Sequence, residues 1–215
     1  LLPRHMAPLA YAGTSAVFFA AINAAKWVPY GLLGLLDWGQ LATSAALLHA
    51  SNHALMKTAL FFAAGAFILQ SGKRQIKELA GLGKVMPFSA GCYALATVSI
   101  MGLPPFNGFA SEFVIYSGLF SSETMRIWAK LALAVVGAAL AFVGAVSALS
   151  ITRAFGVIFL GAARDDSLPE AREASRWMLV PMAIHALGTV LLGVLPIAGL
   201  ALVAAPAALF VPGDG

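Results

Sequence analysis

Long apolar runs are the feature that most restricts the fold of this chain. From Gln40 to Gln70 the only Asp, Glu, Lys or Arg is Lys57. The whole chain is 60% hydrophobic and 10% charged, whereas a soluble domain is about 25% charged. The core of a soluble protein with 215 residues cannot hide so many apolar side chains, so we expect lipid to surround much of the surface. The runs are continuous and do not alternate with polar residues, which favours membrane helices over a β-barrel.

Five of these runs are long enough to cross roughly 30 Å of hydrocarbon as helices. They cover residues 6–25, 40–70, 85–120, 127–160 and 177–204. We predict an all-α, polytopic bundle of about five transmembrane spans, which forms a single membrane domain over residues 1–215. The third run is interrupted at Leu103–Gly108, where we expect a broken helix.

Lysine and arginine are unevenly distributed between the two sides of the predicted bundle. Because successive spans alternate in direction, the N-terminal end and the loops 71–86 and 161–176 share one side. That side carries eight basic residues and the other side carries three. The eight are Arg4, Lys73, Arg74, Lys77, Lys84, Arg164, Arg172 and Arg176, and the three are Lys26, Arg126 and Lys130. Short basic loops stay in the cytoplasm. We therefore predict a multi-pass protein of the inner (cytoplasmic) membrane, with both loops cytoplasmic and the C-terminus outside. The same placement accounts for the net charge of +4 without a nucleic-acid partner.

The second span contains three ionisable side chains at intervals of four residues. In "HASNHALMK" these are His49, His53 and Lys57. Each step of four along an α-helix turns the side chain by only about 40°, so all three line one face. Ionisable groups in membrane helices face a bundle interior or a hydrated cavity and commonly mark ion pathways. We predict a proton path along these residues. The alternative is that the histidines make structural contacts between helices and that Lys57 extends to the membrane surface.

The segment "GLPPFNGFASEF" interrupts the third span and contains a carboxylate. Pro104 and Pro105 lack backbone N–H groups, and Gly102 and Gly108 adopt backbone angles that other residues resist. We predict two half-helices joined by an extended link, with Glu112 in the first turn of the second. The positive end of that half-helix favours the ionised carboxylate, whereas burial favours the neutral acid. Glu112 is therefore a candidate for reversible protonation, and the alternative is a proline kink with a structurally paired glutamate.

Three segments resemble the antiporter-like membrane subunits that respiratory complex I, multisubunit Mrp-type cation/proton antiporters and group 4 nickel–iron hydrogenases share. They are "HASNHALMKTALFFAAGA", "GLGKVMPFSA" and "GLPPFNGFASEF", and the resemblance covers roughly residues 47–196. Within that family the chain looks most like the large membrane subunit of formate hydrogenlyase-type hydrogenases, on the basis of "NHALMK", "LPPFNGFASE" and "RAFGVIFLGAAR".

The resemblance implies a part in proton translocation by a redox-driven complex. It implies that His49, His53 and Lys57 belong to the polar axis that joins half-channels in the family, and that Glu112 is the charged residue after the broken helix. It implies other membrane subunits and a peripheral redox arm as partners, with protons as the transported species. It implies no cofactor in this chain. Iron–sulfur clusters, and nickel–iron in a hydrogenase, would belong to partner subunits of the oxidoreductase complex.

The chain also departs from the family pattern. Family members have many more helices, and the glutamate and lysines of their first half-channel have no counterpart here. The family segment "KRLLAY" before the polar stripe is replaced by "PRHMAPLAY". We therefore expect the chain to be the C-terminal part of a longer subunit. It would hold the outlet-side half of a translocation unit and would not pump alone.

Two other functions are compatible with the residues. One is a subunit of a multisubunit cation/proton antiporter, which transports ions without electron transfer. The other is a membrane scaffold segment with no ion path, in which the polar side chains only stabilise helix contacts.

Overall fold

The computed structural model describes residues 38–120, 126–162 and 171–210, which all lie in one compact unit, 38–215. The predicted first span, 6–25, lies outside the described residues. So do three of the basic residues used to predict the orientation, Arg4, Lys26 and Arg164.

The described residues form six α-helices and two short 3-10 turns, which confirms the predicted all-α class. The helices are α1 (Trp38–Ser71), α2 (Pro87–Ile100), α3 (Asn107–Phe120), α4 (Ile127–Phe159), α5 (Arg176–Val194) and α6 (Pro196–Phe210). The 3-10 turns are Ile76–Glu78 and Leu82–Lys84, and both lie in the loop between α1 and α2.

Three of these helices, α1, α4 and α5, are long and apolar enough to cross a membrane. α1 has 34 residues, which at a rise of 1.5 Å per residue gives a length of about 50 Å. That length exceeds the hydrocarbon core, so α1 either tilts or extends beyond it. Helices α2 and α6 are apolar but shorter, and each belongs to a span that is broken.

The third span is broken, as its two prolines predict. α2 ends at Ile100 and α3 begins at Asn107, and we call residues 101–106 the link. The predicted bounds, 103–108, and the predicted extended conformation were wrong: the link is folded into turns, with the Phe106 N–H donating to the carbonyl of Leu103 at 3.1 Å, and Gly108 is already helical. Gly102 has a φ of +67°, a left-handed conformation that glycine adopts without a steric penalty. The prediction for Glu112 was wrong in one respect, because the first turn of α3 has no acidic residue and Glu112 lies in the second turn. The helix dipole acts mainly within the first turn, so it favours the ionised form of Glu112 less than we expected.

The fifth span differs from the predicted continuous run 177–204, because it consists of the two helices α5 and α6. Leu195 separates them, with φ −117° and ψ 64°. Pro196 follows and has no N–H to continue the hydrogen-bond ladder of α5, although proline is well suited to the first position of a new helix. The described part of the bundle therefore contains two broken spans, of which only the first was predicted.

α1 runs through the centre of the described bundle and packs against α2, α3, α5 and α6. Ala59, Ala63 and Ala66 are all fully buried, and small side chains of this kind let membrane helices approach closely. α4 is peripheral, with only Gly137, Ile158 and Phe159 buried. Its apolar side chains face outward, as expected for a helix that contacts lipid or another membrane subunit.

The loops on the predicted cytoplasmic side meet at one end of the bundle. The backbone N–H of Gly81 donates to the carbonyl of Leu160 at 3.0 Å. The Glu173 carboxylate accepts hydrogen bonds from the backbone N–H groups of Phe88 (2.6 Å) and Ser89 (3.0 Å) and from the Ser89 hydroxyl (2.8 Å). Glu173 thus caps the N-terminus of α2 from a distant part of the chain. The two loops lie at the same end, as the alternation of spans requires.

Candidate functional site: a histidine face and a broken helix

The ionisable residues of α1 share one face, as their spacing predicts. The rings of His49 and His53 lie with centroids 6.0 Å apart. Both histidines are partly buried, whereas the Lys57 side chain is exposed on the surface of the described bundle. The stripe therefore runs from a partly buried end at His49 to an exposed end at Lys57.

His49 connects the stripe to the broken helix. Its Nδ1 lies 3.0 Å from the hydroxyl oxygen of Ser111 on α3. Ser111 is fully buried, and its hydroxyl also lies 3.1 Å from the carbonyl oxygen of Asn107 and 3.0 Å from that of Gly108. Carbonyl oxygens only accept, and a hydroxyl has one proton to donate. When Ser111 donates to either carbonyl, His49 must carry its proton on Nδ1 and present Nε2 as the free acceptor.

A buried set of amide and hydroxyl groups ties the start of α3 to α1 and α2. The Asn52 side chain donates from Nδ2 to the carbonyl oxygen of Asn107 at 2.9 Å. The hydroxyl of Ser99 donates to Oδ1 of Asn107 at 2.5 Å. Asn52, Ser99 and Asn107 are at most 1% exposed, and buried hydrogen bonds of this kind fix a single arrangement of the chain. We call these three residues the clamp.

Sequence reasoning did not find the clamp. The sequence does contain a signal for it, which is a polar amide side chain within an apolar run. Asn52 lies between two histidines of a membrane span, and Asn107 directly follows two prolines and a phenylalanine. Non-helical backbone at membrane depth needs partners from the surrounding protein. A buried amide on the preceding span is a natural source of such a partner.

Glycines let the backbone pack tightly around the break. At Gly108, a Cβ atom would overlap the backbone carbonyl of Ser99 and would contact the sulfur of Met56. At Gly193, near the end of α5, a Cβ atom would overlap the backbone of the link at Pro105 and Phe106. The two broken spans therefore touch backbone to backbone, next to the clamp.

Glu112 lies on a different side of α3 from the histidine contact. A Cβ atom on Gly102 would come within 2.6 Å of Oε2 of Glu112, so the carboxylate packs against the link. No hydrogen bond or ion pair to this carboxylate occurs within the described part of the chain, and none joins it to His49, His53 or Lys57. The structure thus brings the stripe to Ser111, the residue before Glu112, and leaves Glu112 itself without a direct connection.

His185 of the fifth span is a packing residue. Its Nδ1 donates to the carbonyl oxygen of Pro181 at 2.7 Å, one turn earlier in α5. Its ring contacts Phe62 of α1 edge to face, at a centroid distance of 5.4 Å. These contacts explain why a histidine occupies this position, so His185 needs no role in the candidate site.

Comparison with protein families identifies the fold. Residues 27–152, more than half of the chain, match the profile of the NADH:quinone oxidoreductase/Mrp antiporter transmembrane family. The chain belongs to this family. The match includes the histidine stripe and the broken third span, and it confirms the resemblance drawn from the three sequence segments.

Three curated proteins with different names are similar to this chain. Formate hydrogenlyase subunit 3 of Escherichia coli (strain K12) is 36% identical over 149 residues, which are 69% of this chain and 24% of the relative. Na(+)/H(+) antiporter subunit A1 of Staphylococcus saprophyticus is 36% identical over 164 residues, which are 72% of this chain and 20% of the relative. NADH-quinone oxidoreductase subunit N of Desulforudis audaxviator is 32% identical over 178 residues, which are 80% of this chain and 35% of the relative. The chain thus spans between 20% and 35% of the length of these relatives.

Two solved structures share the fold. A chain of the Mrp complex from Dietzia sp. DQ12-45-1b superposes with a TM-score of 0.65 and 24% identity, over 81% of this chain and 39% of that chain. A chain of the membrane-bound sulfane sulfur reductase, an archaeal respiratory membrane complex, superposes with a TM-score of 0.57 and 28% identity, over 70% of this chain and 23% of that chain. The helical membrane bundle is therefore common to a respiratory complex and an Mrp complex.

Proposed function

We propose that this chain is part of a proton-translocating membrane subunit in a redox-driven complex. The complex is a membrane-bound nickel–iron hydrogenase or a complex I-like NADH:quinone oxidoreductase. Protons pass along Lys57, His53 and His49 and exchange with Glu112. The observation that supports this proposal is the 3.0 Å contact between His49 and Ser111, which joins the histidine stripe to the residue before Glu112.

The geometry suggests how each group takes part. An imidazole moves a proton by accepting it on one ring nitrogen and releasing it from the other, and His49 has Nε2 free when Nδ1 donates to Ser111. The two rings are neighbours, with centroids 6.0 Å apart, and a water molecule between their nitrogens would carry the proton from one ring to the other. The last step needs a water molecule or a rotation of the carboxylate, because no hydrogen bond joins Glu112 to the stripe.

We further propose that the subunit works with other membrane subunits and with a peripheral redox arm, and that it lies in the cytoplasmic membrane. The relatives named above are themselves called subunits, and the exposed apolar face of α4 suits a helix within a membrane assembly. Iron–sulfur clusters, and nickel–iron in a hydrogenase, are assigned to the partners. The basic loops 71–86 and 161–176 face the cytoplasm under the charge rule, which requires them to lie at the same end of the bundle.

The test is Glu112→Gln in the complete subunit, assembled in its native complex. We expect electron transfer to continue at a reduced rate, with proton translocation largely lost, because glutamine keeps the shape of the side chain but cannot bind and release a proton. Glu78→Gln, in a 3-10 turn of the α1–α2 loop, is the matched control and should translocate protons normally. Normal translocation by Glu112→Gln would contradict the proposal.

A cation/proton antiporter subunit is the second candidate function. It is favoured by the 36% identity to Na(+)/H(+) antiporter subunit A1, which equals the identity to the formate hydrogenlyase subunit. Membrane vesicles that contain the complex and no electron donor distinguish the two functions. A sodium-dependent change of internal pH supports the antiporter, and its absence together with donor-dependent proton movement supports the redox-driven complex.

A scaffold without an ion path is the third candidate. It predicts that neutral replacements of His53, Lys57 and Glu112 change the stability of the complex and leave transport per assembled complex unchanged. Measuring transport against the amount of assembled complex therefore separates this function from the other two.

A further inference from the structure

Ser111 lies between the histidine stripe and the clamp. Its side chain is fully buried, and its hydroxyl oxygen is within hydrogen-bond distance of three groups in the described part of the chain. They are Nδ1 of His49 at 3.0 Å, the carbonyl oxygen of Asn107 at 3.1 Å and the carbonyl oxygen of Gly108 at 3.0 Å. A hydroxyl has one proton to donate. The direction in which Ser111 donates therefore determines which ring nitrogen of neutral His49 carries the proton.

Two arrangements are compatible with these distances. In the first, Ser111 donates to a carbonyl of α3 and its oxygen accepts from Nδ1–H of His49, so the hydroxyl makes two hydrogen bonds. In the second, Ser111 donates to Nδ1, His49 carries its proton on Nε2, and the Ser111 oxygen accepts no hydrogen bond from the residues that the structure describes. Solvent does not replace a missing hydrogen bond at a fully buried group, so the first arrangement is favoured. Donation from serine to a carbonyl of the preceding turn is also common in helices.

The carbonyl groups beside the Ser111 hydroxyl belong to a fixed part of the fold. Asn107 is a member of the clamp, and its carbonyl oxygen also accepts from Nδ2 of Asn52 at 2.9 Å. His49 and Asn52 are three residues apart on α1, so they lie on adjoining parts of one face. α1 therefore binds the first part of α3 through two polar contacts, and these hold the imidazole ring against Ser111.

The first arrangement suits proton uptake by His49. Nε2 is then the unprotonated nitrogen, so it accepts a proton without any rotation of the Ser111 hydroxyl, and the imidazolium that forms keeps its hydrogen bond from Nδ1. In the second arrangement Nε2 is already protonated, and the hydroxyl must turn away before Nδ1 can accept a proton. The first arrangement already has the hydrogen bonds of the charged state, so uptake requires no reorganisation of these groups.

We propose that Ser111 is a positioning residue that fixes neutral His49 as the Nδ1–H tautomer and makes Nε2 the atom that takes up a proton. Ser111 acts through His49 and does not carry the proton onward, because the two carbonyl groups beside it accept hydrogen bonds but do not relay protons. Its effect on transport rests on the proposed function. The tautomer of His49 does not, and it is measured without a transport assay.

Nitrogen-15 solid-state NMR tests the tautomer directly. The sample is the complete subunit in its native complex, in lipid, with labelled histidine and at alkaline pH, where imidazole is neutral. The signals of His49 are assigned as those that disappear in His49→Gln. We expect a protonated Nδ1 and an unprotonated Nε2 in the unaltered protein. A neutral His49 with its proton on Nε2 would overturn the proposal.

Ser111→Ala removes the hydroxyl and little else, so the spectrum of His49 should change to a mixture of the two tautomers. Ser117→Ala is the matched control. The Ser117 hydroxyl also donates within α3, to the carbonyl of Phe113 at 2.7 Å, but it lies on a different face of the helix. The control should leave the His49 spectrum unchanged. An unchanged spectrum in Ser111→Ala, or the same change in both variants, would reject the role of Ser111.

Proton translocation per assembled complex tests the consequence for transport. Ser111→Ala should slow it about tenfold, because a hydrogen bond to the imidazolium is lost. Ser111→Thr keeps the hydroxyl and should restore most of the rate, and Ser117→Ala should translocate normally. Normal translocation in Ser111→Ala, with Glu112→Gln defective, would reject the positioning role alone. Normal translocation in Glu112→Gln would reject the proposed function, and the NMR result would then decide about Ser111.

Discussion

Replacing Glu173 by alanine should selectively destabilise the N-terminus of α2. Glu173 accepts three hydrogen bonds there, from two backbone N–H groups and one hydroxyl, at 2.6–3.0 Å. The N–H groups of Phe88 and Ser89 belong to the first turn of α2, where no carbonyl of the same helix can pair with them. Pro87 precedes them and has no N–H, and the Ala90 N–H already donates to the carbonyl of Met86 at 2.9 Å, so Phe88 and Ser89 carry the N–H groups that need a cap.

The size of the effect follows from these contacts. A helix cap contributes about 1 kcal/mol, and a hydrogen bond to a charged group contributes about 1.5–3 kcal/mol. Glu173 is partly exposed, so water replaces some of the lost bonds in the variant. We therefore expect Glu173→Ala to cost about 2 kcal/mol. Glu173→Gln keeps one acceptor oxygen and should cost roughly half as much.

Hydrogen–deuterium exchange on the intact complex measures this effect locally. A cost of 2 kcal/mol corresponds to about 30-fold faster exchange of the Phe88 and Ser89 amides. Glu78→Ala is the control, because the side chain of Glu78 is not hydrogen-bonded to α2 in the described residues. If exchange at Phe88 and Ser89 is the same in Glu173→Ala as in the unaltered protein, the carboxylate does not cap α2 and the reasoning fails.

Three further substitutions test the surroundings of the break. Gly193→Ala puts a methyl group against the backbone of the link and should lower stability by about 1–3 kcal/mol. Gly188→Ala is the control, because its methyl group meets only a leucine side chain at 3.6 Å, and it should be neutral or stabilising. Equal melting temperatures of the two variants would contradict the backbone contact. Asn52→Leu removes a buried hydrogen bond and should cost about 1–2 kcal/mol in chemical denaturation, and an unchanged midpoint would count against the clamp. Gly102→Ala strains a φ of +67° and crowds the Glu112 carboxylate, so proton translocation should slow, and a normal rate would argue against this placement of Glu112.

The helical class and most helix positions were predictable from the sequence, because lipid surrounds much of the protein. In lipid, every backbone polar group must be satisfied within the segment, so a long apolar run forms a helix. The predicted runs 40–70 and 127–160 correspond closely to α1 and α4. The first break was predictable because two prolines cannot both continue a helix. The second break was missed because a single proline after an apolar run also occurs within intact helices, as Pro181 in α5 and Pro206 in α6 show.

The sequence also placed His49, His53 and Lys57 on a single face of α1, because helical geometry determines the angle between residues four apart. It could not indicate which neighbour that face meets. The tertiary structure sets the contact of His49 with Ser111, the clamp between Asn52 and Asn107, and the cap that Glu173 provides for α2. These partners are separated by 62, 55 and 84 residues along the chain. A repeating pattern describes only the local geometry of one helix, whereas contacts at such separations depend on how all the helices pack around α1.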